Sequence, residues 1–161
     1  NTALEDLNHA IELDKKSGIA YFTRANCRYK MLQEMEALSN SQTQVDFAVG
    51  IQDRNANNNE ITTLDYNVIL DDYEVALFEN PNFFFGYYNR AFIKLRLGEF
   101  KSAIEDLNRS IRLEPEFAEA YFNRGLTKIY LDDLEGGALD LSRAGELGIY
   151  GAYNIIKRYC N

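Results

Sequence analysis

Tryptophan is absent, histidine occurs once, and only two cysteines and two prolines are found among the 161 residues. Cysteines as far apart as Cys27 and Cys160 define neither a disulfide framework nor a thiolate metal site. The lone His9 has no metal-ligand spacing around it, and no glycine loop of the kind that cradles phosphate is present. No run reaches the roughly 20 apolar residues of a membrane-spanning helix, so direct membrane insertion is not expected. Basic residues are in deficit, 17 Lys and Arg against 25 Asp and Glu, for a formal charge of −8. That balance argues against nonspecific nucleic-acid binding and against anionic membrane surfaces, both of which need clustered cations. With no set of residues that fills catalytic roles, the chain is read as non-enzymatic, with no cofactor and no metal.

What the chain has in excess is aromatic side chains, 11 Tyr and 10 Phe, and they recur. GIAYFTRAN from Gly18, FFGYYNRAF from Phe84 and AEAYFNRGL from Ala118 align, and the last two copies are separated by 34 residues at Tyr87 and Tyr121, Arg90 and Arg124, and Pro81 and Pro115. A lone helical hairpin cannot cover its own apolar face, so a period of this length implies stacked hairpins. Apolar spacings of three and four predict helices over about 2–14, 18–38, 64–79, 84–97, 100–113, 118–131, 134–146 and 150–160, with no strand. Ser17, Asn82 and the Asp132-x-x-Glu135 pair are candidate helix starts.

These residues resemble the tetratricopeptide repeat. Residues 84–117 carry its pattern at Tyr87, Ala91, Gly98, Phe100, Ala103, Leu107, Ser110, Ile111 and Pro115. Residues 118–151 follow at Tyr121, Gly125, Gly137, Leu141 and Ala144, with Ile149 in place of the proline. Residues 18–83 match at Tyr21, Ala25, Tyr73, Ala76 and Pro81 once an insertion at about 33–64 is removed. Residues 1–17 read as the second helix of a partial unit, and 150–161 as a capping helix with Arg158 in the arginine register. The resemblance implies a single all-α, right-handed superhelix of hairpins, the C-terminal portion of a longer array of the kind found in bacterial repeat proteins. Neither cytoplasm nor bacterial periplasm is selected by it.

A second spacing runs through the chain. Asp6 and Arg24, Asp72 and Arg90, Asp106 and Arg124, and Asp140 and Arg158 are each 18 residues apart. Each aspartate falls on the second helix of one unit and each arginine on the first helix of the next. The expectation is a ladder of structural ion pairs between successive units, each costing about 3–5 kcal/mol to break if buried.

The resemblance also places a groove on the first helices. Its candidate peptide-binding residues are Phe22, Asn26 and Tyr29, then Phe85, Tyr88, Asn89, Phe92 and Arg96, then Phe122, Asn123 and Tyr130. Phe22, Tyr88 and Phe122 take positions where chaperone-binding relatives carry a lysine of a carboxylate clamp, so acidic chaperone tails are not the expected ligand. The expected role is an interaction scaffold that receives a peptide or partner segment in an aromatic-rich groove. The alternative is an architectural end-piece of a longer array, self-associating through the N-terminal half-unit or the insertion. Within the insertion, Val45-Asp46-Phe47-Ala48-Val49 is the segment expected to fold back or to dock on a second copy.

Overall fold

The three- and four-residue apolar spacing is realised as helix throughout the computed structural model, which describes residues 2–39 and 59–160. In order, the helices are α1 (Thr2–Leu13), α2 (Gly18–Ser39), α3 (Asn59–Glu79), α4 (Phe84–Arg96), α5 (Phe100–Leu113), α6 (Ala118–Tyr130), α7 (Leu134–Glu146) and α8 (Ala152–Tyr159). No strand occurs among the described residues. Expected and observed ends agree within about two residues except at α3, which starts at Asn59 rather than near Leu64. Ile61, Leu64, Val68 and Ile69 continue the helical spacing upstream, and Thr62 and Thr63 lie inside the helix. The segment 45–49 lies outside the described residues.

The turns follow from a shared backbone device. At Gly98, Asp132 and Gly148 the chain adopts positive φ, 78°, 64° and 111°. The next amide then reaches back to a carbonyl five residues earlier, Glu99 to Lys94, Asp133 to Lys128 and Ile149 to Ala144, each at 2.9 Å. This left-handed stop satisfies carbonyls that a helix end would leave open. Asp132 stands 34 residues after Gly98 and performs the same turn with a side chain present. The cap of α7 is Asp133, whose carboxylate accepts from the Gly136 amide at 3.0 Å. The expected cap at Asp132 is therefore displaced by one residue, because Asp132 is used for the left-handed turn.

Described residues form two compact units, 2–39 with 59–86, and 87–160. In the first, α1 and α3 both pack on α2, and Ala25, Ile69, Tyr73 and Ala76 are almost fully buried. In the second, Ala91, Ala103, Leu107, Ile111 and Ala120 make one cluster, with Tyr88, Phe117 and Tyr121 packed on it. Leu126, Leu141, Ala144 and Ala152 make another, which Ile155 and Ile156 of α8 help to cover. A buried leucine such as Leu107 or Leu141 contributes about 1.5–3 kcal/mol. Glycine sets the spacing of α6 and α7: a Cβ on Gly137 would stand 2.5 Å from Ile129 Cγ1 and 2.9 Å from the Gly125 carbonyl oxygen.

A buried hydroxyl at Ser110 and the left-handed backbone at Asp132 each generate a prediction. Ser110 is fully buried at 0% exposure, and its hydroxyl has no hydrogen-bond partner among the described residues. Alanine stands at the matching positions 76 and 144. Ser110→Ala is expected to raise the unfolding free energy by about 1 kcal/mol, read by denaturant melts. Asp132→Gly relieves the side-chain penalty of the left-handed turn and is expected to raise the melting temperature, by a free energy of about 1 kcal/mol.

Candidate functional site

An aspartate on the buried stripe of a helix needs compensation, since an unpaired charge in the interior is costly. Asp72, Asp106 and Asp140 lie between 3% and 5% exposed, on α3, α5 and α7. Each receives a two-pronged arginine and a second cation one turn further along the same partner helix. Arg90 donates to Asp106 from Nε at 2.8 Å and from Nη2 at 2.6 Å, and Lys94 Nζ lies 2.8 Å away. Arg124 and Lys128 repeat this on Asp140 at 2.8, 2.6 and 2.8 Å. Arg24 and Arg28 hold Asp72, with Arg24 Nε at 3.0 Å and the Arg28 contact at 2.5 Å. A tyrosine ring lies beside each arginine, Tyr21, Tyr87 and Tyr121, with guanidinium-to-centroid distances of 5.3, 5.7 and 5.4 Å. Through its hydrogen bonds to Arg24, Asp72 holds that guanidinium above its ordinary pKa, against the opposing effect of burial.

This arrangement corrects the expected ladder. Asp106 pairs with Arg90 and not with Arg124, and Asp140 pairs with Arg124 and not with Arg158. Arg24 is bound to Asp72, whereas Asp6 is exposed and forms no ion pair among the described residues. Arg158 is exposed with its guanidinium 5.5 Å from the Tyr159 ring. The reason is geometric. In an antiparallel hairpin, residues equidistant from the turn face each other, and Arg90 and Asp106, 16 apart, are centred on Gly98. Arg124 and Asp140, also 16 apart, are centred on Asp132. The preceding helix meets the arginine with an asparagine instead. Arg24 Nη1 donates to Asn8 at 2.8 Å and Arg124 Nη1 to Asn108 at 2.6 Å. Asp106 and Asn108 are two residues apart, about 200° around α5, so one faces its own hairpin and the other the next. Lys94, Lys128, Arg28, Asn8 and Asn108 were not singled out from sequence, although cations four residues after each arginine are a readable signal.

The candidate groove residues fall into three environments. Phe22 packs edge-on against Phe83 with centroids 4.7 Å apart and lies 5.9 Å from the Tyr73 ring. Asn26 accepts from the buried Tyr73 hydroxyl at 2.5 Å, and the Tyr29 hydroxyl accepts from Gln33 at 2.8 Å. On 87–160, Tyr88 meets Phe117 at 4.7 Å, and its hydroxyl accepts from Asn123 Nδ2 at 3.0 Å, which joins α4 to α6. Burial, reinforced by the negative charge of Glu119, pushes the Tyr88 phenol upward, so it remains a neutral hydroxyl. Asn89, Phe92, Arg96 and Phe122 are half-buried. Phe85 and Tyr130 are exposed, next to Phe84 at 5.0 Å and Phe100 at 4.6 Å respectively. Among the described residues no three His, Cys, Asp or Glu side chains gather as a metal site would require, and no helix is long and apolar enough to cross a membrane.

The ion clusters make a differential prediction. Asp106→Asn is expected to cost about 3 kcal/mol, because it leaves Arg90 and Lys94 facing a neutral group in the interior. Asp6→Asn is expected to change stability by less than about 0.5 kcal/mol, as for other exposed positions. Urea unfolding monitored by circular dichroism reads both.

A family model described as the TPR repeat matches residues 93–128. No curated protein matches the chain. Among solved structures, the first TPR of Spaghetti (RPAP3), bound to the HSP90 peptide SRMEEVD, is 27% identical with a TM-score of 0.57, covering 64% of this chain and 83% of that one. The Arabidopsis OM64 TPR domain is 25% identical with a TM-score of 0.56, covering 62% and 84%. MamA from Desulfovibrio magneticus shares the fold at 19% identity and a TM-score of 0.62; 90% of this chain is covered, but only 64% of MamA. The 34-residue period, the antiparallel hairpins and these matches make the chain an all-α protein similar to tetratricopeptide-repeat proteins, with the repeat model matched over residues 93–128.

Proposed function

We propose that the chain is a non-catalytic interaction module whose residues 87–160 receive a peptide or partner segment against the aromatic face of α4 and α6. The observation that carries this reading is the Tyr88–Asn123 hydrogen bond, 3.0 Å long, which sets candidate residues of two successive first helices side by side. Phe92 and Phe122 extend the same register, with Arg96 and Tyr130 at its end. A tetratricopeptide neighbour with a peptide bound supports the general role.

The ligand class follows from where the cations are. Arg90, Lys94, Arg124 and Lys128 are all tied to buried carboxylates, so α4 and α6 do not offer them to a ligand. By the resemblance to chaperone-binding tetratricopeptide domains, Tyr88 and Phe122 take positions of a clamp lysine. A chain of net charge −8 further disfavours acidic segments. The favoured ligand is therefore a segment with apolar or aromatic anchors and no terminal carboxylate recognition.

Selection from a short-peptide display library with the intact protein tests this. Enrichment of apolar anchors is expected, with the acidic peptide SRMEEVD binding no better than its scrambled control. Phe92→Ala is expected to weaken the selected peptides about tenfold, equivalent to 1.4 kcal/mol, with an unchanged thermal melt. Micromolar binding of SRMEEVD, or selected peptides indifferent to Phe92→Ala, would overturn the reading.

A further inference from the structure

The turns of 87–160 carry a surface distinct from the α4–α6 face. Phe100 opens α5 and Tyr130 closes α6, and their rings lie 4.6 Å apart, which brings the α4–α5 and α6–α7 turns together. Leu131 and Leu134 flank Asp132-Asp133 in the second turn. Tyr130, Leu131 and Leu134 are 47%, 41% and 44% exposed, three large apolar side chains within five residues of one turn. Neighbouring it in the two turns, Glu99, Asp132, Asp133 and Glu135 are exposed. None of the four forms an ion pair among the described residues, although Asp133 also accepts from the Gly136 amide. Lys101, beside Phe100, offsets one charge, so four carboxylates and one cation leave a net −3.

We infer that this edge docks a partner segment in which apolar side chains are flanked by lysine or arginine. Charge decides the occupant. An apolar partner without cations would desolvate carboxylates that have no counter-charge, and an acidic partner would add like-charge repulsion. A basic amphipathic segment buries Leu131 and Leu134 while its cations meet Glu99, Asp132 and Glu135. The platform is held in place by backbone hydrogen bonds across both turns, Glu99 to Lys94 and Asp133 to Lys128, so little ordering is required on binding. The site shares only Tyr130 with the face proposed above; Leu131 and Leu134 are not part of that face.

A synthetic Leu/Lys amphipathic peptide titrated into the isotope-labelled intact protein provides the test, with a Leu/Glu peptide of the same apolar pattern as control. Amide shift changes are expected at 97–101 and 130–136 with the Leu/Lys peptide and none with Leu/Glu. Leu131→Ser/Leu134→Ser is expected to weaken binding at least tenfold, and Glu99→Gln/Glu135→Gln to weaken it and flatten its salt dependence. Phe92→Ala is expected to leave it unchanged, which separates failure here from failure of the α4–α6 reading. Shifts centred elsewhere, equal binding of the Leu/Glu peptide, or indifference to both turn variants would overturn the inference.

Discussion

A buried carboxylate gripped by two cations from the facing helix is the interaction on which each hairpin depends. The apolar stripes of α3, α5 and α7 specify burial, but apolar contact alone is tolerant of sliding and rotation. Asp72, Asp106 and Asp140 remove that freedom. Their two oxygens are met by the forked guanidinium in a fixed geometry, and the second cation four residues on fixes the rotation of the first helix. The asparagines at 8 and 108 then carry the same arginines into contact with the preceding helix. One guanidinium thus ties three helices.

The same device shapes what the surface offers. Cations engaged with buried aspartates are unavailable for a ligand carboxylate, so an acidic chain ends up with aromatic, uncharged residues along much of α4 and α6. Exposed carboxylates without an ion pair among the described residues include Glu99, Asp132, Asp133 and Glu135 at the hairpin turns, near Leu131 and Leu134. On the proposed reading, fold stabilisation and ligand choice are linked through the placement of a few charges.

Most of the helical framework was legible because it rests on local rules. Period, apolar spacing and the glycine stops located seven helix starts within two residues. The start of α3 was not, since a threonine reads equally as a cap or as an interior residue when the neighbouring pattern continues. The aspartates and arginines were legible as a set, but their partners were not. A spacing of 18 and one of 16 both connect these residue types, and only the position of the turn decides between them. For the groove candidates, sequence could not separate ring packing from open surface: Phe22 lies against Phe83 and Tyr73, while Tyr130 keeps nearly half its surface exposed.

The most direct measurement is a pair of double-mutant cycles on equilibrium unfolding, Arg124 with Asp140 and Arg124 with Asp106. The account gives a coupling of about 2–3 kcal/mol for the first pair and no more than about 0.5 kcal/mol for the second. The reverse order, with the larger coupling between Arg124 and Asp106, would contradict it.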